Sequence, residues 1–399
     1  MRILFTGDVM LGRLVNDLLD RENYTYIWGN TLEIIRNVDL SLINLECAIS
    51  SGGNKWNKTF KMFHFRAHPE AIRVLSTAYI DYVSLANNHI LDYDIEALFD
   101  TLDLLEKNKI AYSGAGRNLT EAVKPATLEH KNKPRSYGTY DNDGMNRSIN
   151  RGPNIRIGIV SLTDNQPEWE ASRNSPGINY IPINLSSSNN TYYDRLRYSI
   201  ANAKSISDIV IVSSHVGPHF RESPSREYSN FAHSILDLGA DIYWGHSNHM
   251  PQGIEIYNKK LIMYDCGNFI DDYAVHTDYR NDLSFIFLLH LEEDYCVTDS
   301  TSTGGEVRRS GLYTSNTGYM NSSPRNHNFN DLKSLRANHE IRVLMGNIEL
   351  IPTKISDFRV NTALSEDADL SINRMVERCN QLGTICNVDT LRKRVIIPL

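Results

Sequence analysis

The sequence predicts an α/β protein in which largely parallel strands alternate with covering helices. Three observations predict it. Between residues 1 and 127, apolar runs of strand length alternate with stretches whose apolar residues recur at helical spacing. Gly, Pro and Asn separate the two kinds of segment. A carboxylate, an amide or an imidazole recurs where the apolar runs end, as expected of strands whose carboxyl ends line a ligand crevice.

In chain order, Met1 to Val9 reads as a buried strand, and a helical stretch follows from about Gly12 to Leu19. A helical piece near Thr31–Asn37 leads into a strand at Leu40–Leu45. Pro69 opens a helix at Glu70–Ala78, the position that tolerates proline best. Tyr82–Leu85 is a strand. Asp94–Asn108 is a helix with Ile95, Leu98, Leu102 and Leu105 at helical spacing. Ile110–Tyr112 is a short strand, Gly114-Ala115-Gly116 a turn, and Glu121-Ala122 the start of a helical turn. The stretch 129–154 reads as a polar loop or hairpin, Ile155–Leu162 as a strand, and 164–190 as an irregular surface excursion. Helices at Tyr193–Ala203 and Tyr228–Leu238 alternate with strands at Ile209–Ser213 and Ile242–Trp244. Gly253–Tyr257 and Leu261–Asp265 read as a hairpin, and Ser284–Leu291 as a strand.

These elements make a first domain of residues 1–291. Residues 292–340 are rich in Ser, Thr, Asn and Gly and read as a polar, flexible insertion, too poor in apolar residues to pack a core. Residues 341–399 carry a strand or hairpin, a helix at about Ser365–Leu382 and a last strand, and are expected to pack on the core.

Composition narrows the function. The chain has 399 residues, 41% hydrophobic and 22% charged, with a formal net charge of -7. An acidic protein without a basic patch does not bind nucleic acid through its phosphates. The odd cysteine count and the lack of a CxxC spacing speak against a disulfide framework or a thiolate zinc site; Cys379 and Cys386 either pair or stand idle. No leader pattern and no apolar run of membrane-helix length is seen, so a cytoplasmic location without a membrane segment is expected.

The strand-exit clusters carry the chemistry, since Asp, Glu, Asn and His bind divalent metals. Asp8 follows Ile3-Leu4-Phe5 on a Gly-preceded turn; alone it reads as an N-cap. Glu46 ends Leu42-Ile43-Asn44-Leu45. Asn87-Asn88-His89 joins amides to an imidazole, so that one group ligates while the other stays free as a proton donor. His215 ends a strand, and Gly217-Pro218 separates it from His219, a substrate contact or a structural residue. His246 and His249 follow Gly245, with Asn248 and Gln252 placed to orient the rings. His64, Arg66 and His68 alternate, and if extended share a cationic face for an anionic substrate. Asn268 reads as site-lining; Asp271 and Asp272 either bind a cation or cap the next segment.

Phe5-Thr6-Gly7-Asp8-Val9-Met10-Leu11-Gly12-Arg13, Asn44-Leu45-Glu46, Phe65-Arg66-Ala67-His68-Pro69, Ser84-Leu85-Ala86-Asn87-Asn88-His89, Gly114-Ala115-Gly116-Arg117-Asn118, His215 and Gly245-His246-Ser247-Asn248-His249 occur in this order. Together they resemble the CapA-type capsule-synthesis family, associated with poly-γ-glutamate production, within the calcineurin-like metallophosphoesterase superfamily. The resemblance covers roughly residues 1–290; 341–399 is similar to a C-terminal extension of some members. It implies a four-layer α/β/β/α metallophosphatase-like sandwich with two facing mixed sheets, in place of the three layers that alternation alone suggests.

It also implies that Asp8, Glu46, Asn88, His215, His246 and His249 are metal ligands and His89 the catalytic acid. His64, Arg66, His68 and Asn268 would then contact substrate. The implied cofactor is a divalent ion, Mn, Fe or Zn, with one or two bound. Two departures from the phosphatase pattern stand out. Met10 occupies the His position of Asp-x-His, and His246 and His249 are three apart rather than two. The expected function is hydrolase-type chemistry on an anionic polymer or small anionic substrate, with capsule-synthesis proteins as partners. The alternatives are a non-catalytic accessory of a polymer synthase and a general metallophosphoesterase.

Overall fold

A computed structural model describes residues 1–19, 21–130, 154–184, 191–297 and 339–399, with backbone alone at 293–297 and 339–342. Most of the expected loop 129–154 and of the expected insertion 292–340 lies outside the described residues. Chain contacts divide the molecule into a large unit, residues 1–291 and 345–399, and a small unit, residues 292–344. The described part of the small unit consists of the ends of two strands, Leu283–Val297 and His339–Ser356.

The large unit is built on two mixed sheets. In the first, Arg2–Val9, Leu40–Leu45, Tyr82–Ser84 and Ala111–Ser113 run parallel in that spatial order. On the other side of Arg2–Val9, Leu283–Val297 pairs antiparallel with its start and Asn268–Ile270 pairs parallel with its end. His339–Ser356, Arg394–Pro398 and Asn387–Asp389 extend that edge. The second sheet has the order Ile254–Tyr257, Lys260–Met263, Ile242–His246, Ile209–His215, Ile155–Thr163, Ala126–His130. Its four inner strands are parallel and its two edge strands antiparallel. Among the described residues neither sheet closes into a barrel.

Inner strands such as Ile209–His215 are buried at every position, because side chains leave both faces of a covered parallel strand. Leu4 and Val83 face helix Asp94–Lys107, sharing a core with its Leu98, Leu102 and Leu105. Val210, Val212 and Tyr243 face helices Thr191–Ile206 and Arg226–Asp237 in another core. The opposite faces meet each other. The Phe5 and Trp244 rings lie edge to face at 5.4 Å, and the Trp244 indole N–H donates to the Thr6 carbonyl at 3.0 Å. The Tyr82 hydroxyl, from the first sheet, hydrogen-bonds Ser161 of the second.

Several local expectations need correction. Ile95 is 38% exposed; Ala97 and Thr101 take its place on the buried face of the helix. The segment after Thr163 is not a surface excursion, because Trp169, Ile178 and Ile181 are buried. Its strand Gly177–Ile178 pairs with Ala115–Gly116, so the expected turn at 114–116 is instead half of a two-stranded ladder. Ala126–His130, expected in part as loop, is an edge strand.

Candidate metal centre

The strand ends converge because the chain approaches itself closely there. Gly7 precedes Asp8, and a Cβ on Gly7 would meet the Gly267 carbonyl oxygen at 1.8 Å. That approach lets Asp8 N donate to Gly267 O at 2.9 Å. Beyond Gly245 the loop carries Ser247 at φ 101° and His249 at φ 63°. Left-handed backbone at non-glycine residues is strained and persists only where its surroundings hold it.

Asp8, Glu46 and His215 present donor atoms all within 4.8 Å of one another. His215 Nδ1 lies 3.9 Å from Asp8 Oδ1, and its Nε2 lies 3.8 Å from Glu46 Oε1. His246 Nδ1 is 3.8 Å from Asp8 Oδ1, and His249 Nδ1 is 3.8 Å from Asp8 Oδ2. Two donors each ~2.1 Å from one ion stand ~3 to ~4 Å apart, so the His215 Nε2–Glu46 and His246 Nδ1–Asp8 separations suit shared coordination, while His249 Nδ1 faces Asn268. The first sheet supplies the carboxylates and the second the imidazoles of His215 and His246.

The polar accounting is consistent with an ion. Asp8 Oδ2, Glu46 Oε1, Asn88 Oδ1, His215 Nε2 and His246 Nδ1 are buried without a hydrogen-bond partner. Buried polar atoms in native proteins nearly always have one. With protein groups alone, burial pushes the Asp8 carboxyl up to about 7 against the Asn44 hydrogen bond. Burial and then the Asp8 charge push Glu46 well up. Burial lowers His246 and His249 to about 3 and takes His215 well down, with His246 adding to the last. The imidazoles are therefore neutral, the form that binds metal.

Surrounding groups hold these side chains in place. Asn44 Nδ2 donates to Asp8 Oδ1 at 2.7 Å and lies 3.3 Å from His215 Nδ1. Asn87 donates to Asn44 Oδ1 and Leu45 O and accepts from His89 N, shaping the turn that carries Asn88 and His89. Ser213 Oγ lies 3.1 Å from His246 Nε2, and Asn268 Oδ1 lies 3.0 Å from His249 Nδ1. Asn268 is therefore in contact with a ligand candidate. Asn248 and Gln252, expected to orient the rings, instead bond Arg221. His219 bonds Ser247 O and stacks on His249 at 4.7 Å.

His89 lies beside this centre, its ring stacked on Phe65 at 3.9 Å. Its Nε2 is 3.9 Å from Glu46 Oε1 and its Nδ1 is 2.6 Å from Asp92 Oδ2. His64, Arg66 and His68 each have local partners. His64 Nε2 is 3.0 Å from Trp56 O. Arg66 donates to Gly52 O and lies over Tyr93 at 4.0 Å. His68 Nδ1 accepts from Glu70 N, capping the turn at Pro69–Ala71.

Residues 2–273 match the family model described as bacterial capsule synthesis protein PGA_cap. The chain belongs to this family. A probable polyglutamine synthesis accessory protein of Mycobacterium tuberculosis is 30% identical to this PGA_cap chain, over 72% of this chain and 79% of that protein. The PGA biosynthesis protein CapA of Bacillus subtilis is 28% identical over 67% of this chain and 62% of its own length. The capsule biosynthesis protein CapA of Bacillus anthracis is 25% identical over 68% and 60%. Among solved structures, TT1561 of Thermus thermophilus superposes with a TM-score of 0.34 at 12% identity, over 71% of this chain and 92% of that one. Among the described residues of this PGA_cap chain, no helix is long and apolar enough to cross a membrane.

Sequence reasoning missed Asn44, Asp92 and Tyr273. Asn44 had a usable signal, a polar residue inside the apolar run Leu42–Leu45. Asp92 follows His89 by three residues but reads as an ordinary turn residue. Nothing local marks Tyr273, whose hydroxyl donates to Glu46 Oε2 at 3.2 Å.

Proposed function

We propose that this protein is a metal-dependent enzyme of poly-γ-glutamate or capsule-polymer metabolism, with hydrolase-type chemistry at a centre of one or two divalent ions. The carrying observation is the set of five buried donor atoms, on Asp8, Glu46, Asn88, His215 and His246, that no protein group satisfies. Together with His249 these residues would hold Mn, Fe or Zn, which matches a mixed carboxylate, amide and imidazole set. The facing sheets, with helices on their outer faces, support the four-layer α/β/β/α arrangement of the metallophosphatase-like superfamily.

The bound ion would polarise a carbonyl or phosphoryl oxygen and lower the pKa of water. The chain's own residues do the rest. His89 holds the transferable proton and Asp92 orients its ring. Burial, with Lys61, His219, His64 and Arg13 around the ring, keeps His89 well below its ordinary value. An anionic substrate seated there supplies the negative charge that favours the imidazolium. The positive charges of Lys61 and Arg13 near the ring support an anionic polymer as substrate. The names of the relatives, polyglutamine synthesis accessory protein and CapA, agree with that class.

A second reading, binding of polymer or of a synthase partner without turnover, is favoured by Met10. Its thioether lies in the hydrophobic core and accepts from Gly12 N at 3.0 Å, so position 10 offers no ligand. Metal analysis separates the readings. The enzyme reading expects stoichiometric Mn, Fe or Zn in purified protein. It fails if none is present and added metal changes neither melting temperature nor activity.

A further inference from the structure

The helix Ser365–Gln381 lies beyond residues 2–273, the stretch that carries the family match. Its Ala368, Ile372, Met375 and Cys379 are buried at helical spacing and seat it on the fold. Two of its arginines reach loops on the histidine side of the centre. Arg378 Nη1 donates to Pro251 O at 2.6 Å, from a side chain 10% exposed. The helix backbone comes so near there that a Cβ on Gly253 would meet the Arg378 carbonyl oxygen at 2.6 Å. One turn earlier, Arg374 donates from Nη1 to Tyr279 O at 3.0 Å and from Nη2 to Asp278 O at 2.8 Å. A planar guanidinium spans two consecutive carbonyls in this way, and a lysine ammonium does not reproduce that fork.

Both arginines lead to His249. Pro251 follows it by two residues. Tyr279 stacks on Phe220 at 5.5 Å, and the Phe220 ring lies 5.6 Å from that of His249. Phe220 N also donates to Asn248 O at 2.9 Å, tying the two loops together. These loops need support from outside. Phe220 at φ 57°, Ser247 at φ 101° and His249 at φ 63° are all left-handed. Such backbone at non-glycine residues persists only where its surroundings over-determine it. Asp8 and His215, by contrast, belong to strands whose ladders hold them.

We propose that Arg374 and Arg378 are positioning residues of the centre. They clamp the loops at 276–281 and 247–253, and so hold the His249 ring where its Nδ1 stands 3.0 Å from Asn268 Oδ1 and 3.8 Å from Asp8 Oδ2. The C-terminal helix thereby sets one side of a site whose other donors come from the two sheets. The inference rests on the metal-centre reading above and extends it to residues outside the family match.

The test reads backbone opening and metal affinity rather than turnover. Amide hydrogen exchange is measured by mass spectrometry on metal-stripped full-length protein, and Mn²⁺ affinity by titration calorimetry. Arg378→Met is expected to exchange about tenfold faster over 247–253, and Arg374→Met over 276–281, as loss of a charge-assisted hydrogen bond from a local opening implies. The strands Arg2–Val9 and Ile209–His215 should exchange as in the wild type. The double variant should bind Mn²⁺ about tenfold more weakly, the lower end of what partners around a ligand cost. Arg378→Lys, which keeps one donor, should return 247–253 to within about threefold of wild-type exchange. If the double variant does not fold, Arg374→Met and Arg378→Lys decide the matter. Unchanged exchange in both loops overturns the clamp and leaves the metal centre standing. Equal acceleration of loops and strands does the same, since it marks general destabilisation. So does a loosened pair of loops with unchanged Mn²⁺ affinity. No Mn²⁺ bound by the wild type overturns the metal-centre reading and this inference with it.

Discussion

His89 Nδ1 lies 2.6 Å from Asp92 Oδ2, and this contact sets which ring nitrogen faces the centre. Asp92 is itself held by Phe65 N at 2.6 Å and by Lys61 at 3.2 Å. The carboxylate is thus fixed from two sides before it meets the imidazole, and Nε2 is left toward Glu46. In the proposed mechanism His89 carries the proton and Asp92 acts only through His89.

His89→Ala is expected to lower turnover by about 10²- to 10⁴-fold, the usual worth of a positioned acid. Asp92→Asn is expected to cost less, about 10- to 100-fold, as orienting partners do. Both variants should retain bound metal. The assay is hydrolysis of phosphoester and γ-glutamyl substrates beside metal analysis. Unchanged turnover in His89→Ala, against active wild type, removes its assignment as the acid.

Asp8→Asn and His215→Ala are expected to lose metal and the thermal protection that metal confers. Ligand at 100 times its dissociation constant stabilises a fold by about 2.7 kcal/mol. Wild-type melting temperature should therefore rise on adding Mn²⁺ by a few degrees, and both variants should show little or no rise. Equal rises in all three proteins would place the binding elsewhere.

Stability of the metal-free protein should fall as pH rises above about 6.5, where the buried histidines, neutral in the folded state, no longer differ from the unfolded chain. Burial pushes Asp8 and Asp92 up to about 7 and Asp271 up to about 8, from ordinary carboxylate values near 4. The folded state then holds protons that the unfolded chain releases above pH ~4. The associated stability is complete below that pH and is lost as pH climbs through about 7 to 8. Melting temperatures between pH ~6.5 and ~8 in chelator should decline, and bound metal should flatten the decline. A rise with pH across that window in chelator would contradict the assignment of these carboxyls.

Gly7→Ala is expected to destabilise the fold by ~3 kcal/mol or more, since its Cβ would stand 1.8 Å from a backbone oxygen that cannot step aside. Chemical denaturation measures this. Metal affinity should fall with it, because Asp8 is positioned by the same contact between chain segments.

Most strands and helices were legible, because their signal is local hydrophobic periodicity. Leu40–Leu45 and the helix beginning at Asp94 are found where the sequence places them. Ile95 was misplaced because apolar spacing does not say which edge of the stripe meets the sheet. Trp169 and Ile178 were misread because Pro, Ser and Asn around them signal loop whether or not the loop is buried. Of the candidate site, the strand-exit donors were visible residue by residue. Asp92 and Tyr273 were not, since each acts through a neighbour that only the folded chain supplies.

The sequence by itself determined the strand ends and the chemistry placed on them: Asp8, Glu46, Asn88, His89, His215, His246 and His249. It also identified Met10 as a position without a ligand. Tertiary structure alone decided that carboxylates of one sheet meet imidazoles of the other. The reason is physical. Periodicity along a chain assigns each residue to a face, but the placement of one sheet on another follows from packing between distant faces, here Phe5 and Tyr82 against Trp244 and Ser161. That packing, and the close approach of Gly7 to Gly267, bring the donors of both sheets within reach of one ion.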